Sequence, residues 1–147
     1  MSHTCTFNEA LGVFVLRAKR SMDVHELKLA FDEVALHSGF KADLSLVVDL
    51  RGPPNVLTTD DIRHLATYVQ RIDANWGHTK WSILVSSDVA YGLSRMFMAH
   101  TSDFEVTTNV FRTLVEADDW LGLGVEMDEI LRLTPELALS AERETRG

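Results

Sequence analysis

Two nearly unbroken apolar runs interrupt an otherwise mixed chain, Leu44 to Leu50 in "DLSLVVDLRG" and Trp81 to Val85 in "KWSILVS". Strands covered on both faces read this way, as in a parallel sheet. Pro53 and Pro54 in "RGPPN" stop the first run, because neither can continue a ladder. Upstream, Thr4 to Phe7 and Val13 to Ala18 read as strands. Asn8 and Gly12 make the intervening "NEALG" a turn, so a β-hairpin opens the chain. Val24, Leu27, Phe31 and Val34 recur at helical spacing, with Ser21 or Asp23 as cap and Gly39 as stop.

A second amphipathic stripe, Ile62, Leu65, Ala66, Val69 and Ile72, predicts a helix in "LTTDDIRHLATYVQRIDANW". A third helix is expected in "SDVAYGLSRMFMAH", with Val89, Leu93, Met96 and Phe97 on one face. "FEVTTNVF" reads as a last strand, and "TLVEADDWLGLG" as a short helix closed by Gly122 or Gly124. The order β-β-α-β-α-β-α-β-α predicts an α/β domain over residues 1–122, its sheet mostly parallel after the opening hairpin. Residues 123–147 read as a helical extension broken by Pro135. Ile130, Leu131, Leu133, Leu137 and Leu139 make it too apolar to be left in water, so it is expected to pack on the domain or on a partner subunit, as in a homodimer.

Composition narrows the function classes. The chain of 147 residues is 46% hydrophobic and 24% charged, with a net charge of -8, in the ordinary range for a globular domain. An acidic surface repels phosphate backbones and anionic headgroups, so nucleic-acid and membrane-surface partners are not expected. The single cysteine, Cys5, cannot form an internal disulfide, and it lies in a strand-like stretch with nothing to lower its pKa. With no signal-peptide pattern and no apolar run long enough to span a bilayer, a cytoplasmic location is expected.

In open sheets of this kind ligands gather outside the carboxyl ends of the strands. Here "DLRGPPN", "SSDVAYG" and the turn near Thr107 to Asn109 would line that edge. Asp49 at the end of a buried strand needs a partner, and Arg51 two residues on can reach it; the pair either pins the loop or contacts a ligand. Ser86, Ser87 and Asp88 suit a helix start better than a hydrolase site, since no Gly-x-Ser-x-Gly is present to make a nucleophile. Tyr91 and Arg95 are i, i+4 neighbours that can stack or clamp a ligand, and Gly92 between them costs helix stability without an evident reason. Thr58 as N-cap with Asp61 forms a variant capping box, with Leu57 and Ile62 as hydrophobic staple. Asp60, Asp61 and His64 share helical spacing, but too few ligands accompany them for zinc, so no metal or other cofactor is expected.

The order of elements resembles the STAS fold of bacterial anti-sigma-factor antagonists. More closely, the chain is similar to the stage II sporulation AA-like, or STAS/SEC14-like, family. "LVVDLRG", "SILVSSDVAYGLSRMF" and "VFRTLVEADDWL" carry the likeness, the last pairing Phe111 with Ala117, Trp120 and Leu121 on the final helix. The likeness covers roughly Thr4 to Leu121 and implies a non-catalytic module, either a phospho-switched protein partner or a regulatory domain. The SEC14-like side implies a pocket for an apolar small molecule or lipid. In the antagonist branch a serine in Asp-Ser-Ser-Gly is phosphorylated; the corresponding place here, "NVLTTDDI", offers only Thr58 and Thr59, and Asp60 and Asp61 crowd it with negative charge.

Overall fold

The computed structural model describes residues 2–123, and the expectation of an extension over 123–147, with the homodimer built on it, falls almost wholly outside them. The elements are β1 (His3–Asn8), β2 (Val13–Ala18), α1 (Val24–Leu36), β3 (Ser45–Asp49), α2 (Thr59–Trp76), β4 (Lys80–Leu84), α3 (Asp88–His100), β5 (Thr107–Phe111) and α4 (Leu114–Leu121). They form an α/β fold on one mixed five-stranded sheet in the order β1-β2-β3-β4-β5. β1 and β2 make the expected antiparallel hairpin, and every later pair is parallel.

Each crossover advances one strand in the same direction, so right-handed connections place α1, α2 and α3 on one face. Strand alternation then sorts the core into two layers. Phe14, Leu16, Leu46, Val48, Trp81, Ile83 and Val110 meet α1, α2 and α3, whereas Val13, Val15, Val47 and Leu84 share the opposite layer with Ala117 and Leu121 of α4. A chain of rings runs through the first layer: Phe14 to Phe40 at 6.4 Å, Phe40 to Trp76 at 4.9 Å, Trp76 to Trp81 at 5.0 Å, and Trp81 to Phe31 at 4.8 Å. Cys5 sits beside this core, and burial together with the nearby Glu33 pushes its thiol up to about 12, leaving it protonated and unreactive at neutral pH.

Three local expectations need correction. α1 is capped by Asp23, in a reciprocal box with Glu26, and ends at Leu36. Gly39 therefore is not its stop; it leaves room for the Phe7 ring, which a Cβ there would meet at 2.4 Å. β5 begins only at Thr107, because the Asp73 carboxylate of α2 accepts the N–H groups of Glu105 and Val106, both at 2.9 Å, and holds that stretch as a turn. On α3 the fully buried residues are Ser94 and Phe97, while Val89 is 64% exposed.

Candidate functional site

At the carboxyl edge three connections meet: Lys19–Asp23 after β2, Leu50–Thr58 after β3 and Val85–Ser87 after β4. Strand order never reverses among β2 to β5, so no topological switch opens a crevice here. Side-chain bonds between the connections shape one instead. Ser21 donates its hydroxyl to the Pro54 carbonyl at 2.6 Å, and the Gly52 N–H reaches Ser86 Oγ at 3.5 Å. Between them lies a shallow cleft of about 40 Å³, open to solvent, whose walls include Arg20, Ser21, Pro53, Pro54, Ser86 and Ser87.

Leu50 and Leu57 belong both to this cleft and to a second, small space of about 40 Å³ beneath α3. That recess is bounded by α1 through Leu27 and Phe31, by α2 through Ile62 and Leu65, and by α3 through Ser94 and Phe97, with Val48, Trp81 and Ile83 as its sheet wall. All of these are apolar except the Ser94 hydroxyl and the indole N–H of Trp81. The cleft, with mixed polar and apolar walls, and the apolar recess thus adjoin at two leucines.

Of the residues singled out in the sequence, Ser86 and Ser87 line the cleft. Ser87 caps α3 by accepting from Ala90 N–H at 3.1 Å. Asp49 and Arg51 lie just outside the cleft, since Asp49 points to the α4 side of the sheet. The Arg51 fork donates to both Asp49 oxygens at 3.0 Å, the Arg51 N–H adds a bond at 3.1 Å, and Arg17 lies 3.7 Å away on the neighbouring strand. Tyr91 does not stack on Arg95: the guanidinium over its ring is that of Arg112, at 4.7 Å, which also pairs with Asp88 at 2.7 Å. Arg95 and Gly92 are exposed on α3. A Cβ on Gly92 would meet open space, so packing on the sheet does not account for the glycine, and nothing in the fold does.

No family model, curated protein or solved structure matches the chain. Function has to be read from the chemistry of the edge itself. The cleft walls carry hydroxyls, one guanidinium and the Asn55 amide but no imidazole or carboxylate, so no side chain lining the cleft can serve Ser86 or Ser87 as general base. Among the described residues no three metal-ligating side chains converge. Asp60 pairs with Arg63, Asp61 serves the α2 cap, and His64 Nε2 faces Lys28 Nζ at 3.0 Å. Nor is any helix among these residues long and apolar enough to cross a membrane.

Thr58 and Thr59 are exposed at the start of α2. Thr58 is engaged: its Oγ1 accepts from Asp61 N–H at 3.2 Å, and its own N–H donates to the Asp61 carboxylate at 2.9 Å. Thr58→Ala is expected to cost about 1 kcal/mol in urea denaturation, as loss of an N-cap does, with Thr58→Ser recovering nearly all of it. An unchanged midpoint for Thr58→Ala would show that the box is not formed in solution.

The resemblance implies a pocket, but the residues do not single out the lining of this recess. In the sequence Leu57 appears only as a staple residue, and Phe31, Trp81 and Phe97 only as core. A cavity between helices and sheet leaves no periodic trace, because residues lining a gap and residues filling one share the same apolar pattern.

Proposed function

We propose that this chain is a non-catalytic binding or regulatory module of the STAS/SEC14-like type, which takes a small molecule with an apolar body at the carboxyl edge of its sheet. The observation that carries this reading is the junction of cleft and recess at Leu50 and Leu57. A few polar groups at the mouth and an apolar interior are the usual makeup of a small-ligand site. At about 40 Å³ the recess lies well below the usual volume of such sites, so a bound molecule would reach in with only a small apolar group, which favours a compact molecule over a long-chain lipid. Two exposed apolar side chains sit close to the mouth: Val56 forms part of its wall, and Val89 lies on the first turn of α3 between Ser87 and Ala90. They give a protein partner a place to sense whether the site is filled.

Native mass spectrometry of the purified protein tests this reading. The expected result is a species heavier than the 16.5 kDa chain, whose extra mass is lost on denaturation. A chain that carries no ligand and gains none from a panel of small apolar compounds would overturn it.

A further inference from the structure

We propose that β1 is a docking edge for a second copy of this chain, the two β1 strands pairing antiparallel about a two-fold axis at Cys5. This surface is separate from the cleft and does not depend on the ligand reading. β1 is the first strand of the sheet and is paired on one side only. In its ladder with β2 the Ser2 carbonyl accepts the Lys19 N–H at 2.8 Å, which fixes the antiparallel alternation. Thr4, Thr6 and Asn8 therefore turn their backbone groups toward β2, and His3, Cys5 and Phe7 turn theirs outward. Among the described residues nothing bonds those outward N–H and C=O groups.

An open edge is a template for another strand, and proteins usually block it with charge, proline or a bulge. β1 contains no proline, lysine, arginine or carboxylate, and its register runs unbroken from His3 opposite Ala18 to Asn8 opposite Val13. The far edge of the sheet is treated differently. On β5 the Thr107 N–H and the Phe111 carbonyl face inward, and the outward N–H of Val110 is already taken by Asn109 Oδ1 at 2.9 Å.

The order of side chains selects a second copy over another protein. From His3 to Phe7 the strand reads ring, threonine, cysteine, threonine, ring. A two-fold axis at Cys5 sets Cys5 against the partner's Cys5, Thr4 against the partner's Thr6, and His3 against the partner's Phe7. Every cross-strand pair is then matched, and every outward N–H and C=O finds a partner. Threonine pairs and aromatic pairs are among those that stabilise neighbouring strands. The Glu33 carboxylate, close enough to act on the Cys5 thiol, is engaged by His3 Nε2 at 2.7 Å rather than left to repel its copy. The contact closes on itself, so association stops at two chains.

Sedimentation velocity of the full chain tests the proposal. A reversible dimer with a Kd of about 1–100 μM is expected, as suits a small interface. Cys5→Pro removes an outward donor without removing a bond to β2, and edge strands accept proline; it should weaken the dimer at least about tenfold. Cys5→Val keeps the N–H and should leave the dimer intact. Amide hydrogen exchange reads the same edge: the Cys5 and Phe7 amides should slow as the dimer fills, while those of Thr4 and Thr6 are protected at every concentration. A chain that stays monomeric to about 1 mM overturns the proposal. A dimer that Cys5→Pro leaves unchanged, with fast Cys5 and Phe7 amides, overturns it by placing the contact elsewhere. Equal weakening by Cys5→Val overturns it by making the thiol, not the backbone edge, the contact, and assemblies larger than two overturn the closed symmetry. Should Cys5→Pro not fold, the concentration dependence of the wild-type amides decides.

Discussion

Replacing Arg51 by alanine is expected to destabilise the fold by about 3 kcal/mol, and replacing Arg17 by no more than about 1 kcal/mol. Both arginines face the same carboxylate, so the difference lies in geometry. Asp49 is 4% exposed and cannot return to water while the sheet is intact. Arg51 meets it as a fork, one nitrogen on each oxygen at 3.0 Å, the arrangement that makes charge-assisted bonds strong. Arg17 stands 3.7 Å off with its side chain 42% exposed, beyond good hydrogen-bond distance and screened by solvent. Removing Arg51 leaves a buried charge with one backbone N–H and a distant cation. Because the Arg51 side chain is itself 30% exposed, the cost falls at the lower end of the range for broken buried pairs. Arg51→Lys should recover less than half, since an ammonium cannot fork. Urea denaturation at neutral pH measures all three variants; equal midpoints for Arg51→Ala and Arg17→Ala would mean that the carboxylate is solvated.

The same pair bears on the course of the loop that carries two prolines. Asp49 is the last residue of β3, and holding Arg51 against it turns the chain so that Pro53 and Pro54 face the cleft. The pair thus acts on the site from outside it, as the mount of one wall. This is more specific than the contact role that its position at the sheet edge suggests.

What the residues reveal in advance, and what they hide, follows from the range of each interaction. The hairpin, the buried strands β3 and β4, and the box joining Thr58 to Asp61 are written in neighbours one to four positions apart, and they appear where the pattern places them. The start of β5 is not, because it depends on Asp73, which lies 32 and 33 positions from the N–H groups it takes. Nor is the partner of Tyr91: helical spacing offers Arg95, but the return of the chain after β5 brings Arg112 onto the ring. The exposure of Val89 is hidden for a third reason. Helical periodicity tells which residues share a face, not whether anything packs over it. The recess combines all of these, since its walls come from three helices and two strands.

Leu57→Trp is expected to reduce ligand affinity at least tenfold, about 1.4 kcal/mol, while changing stability by about 1 kcal/mol or less. Leu57 lines both cleft and recess, so a larger side chain there fills the place where they adjoin. The fold should tolerate the change because Leu57 is only half-buried and precedes the cap of α2, where an aromatic ring can still pack on Ile62 as the staple requires. Overpacking is costly where neighbours cannot yield, and a loop residue at a solvent-open junction has room to turn outward. Leu36→Trp is the matched control: at 85% exposure on α1 it adds the same bulk where neither space is affected, and it should bind as the wild type does. Native mass spectrometry of the three proteins under identical loading gives the retained fractions. Loss of ligand in Leu57→Trp alone places the occupant across the junction. Equal retention in all three would remove the junction from any role and leave the cleft and recess as separate, unconnected hollows.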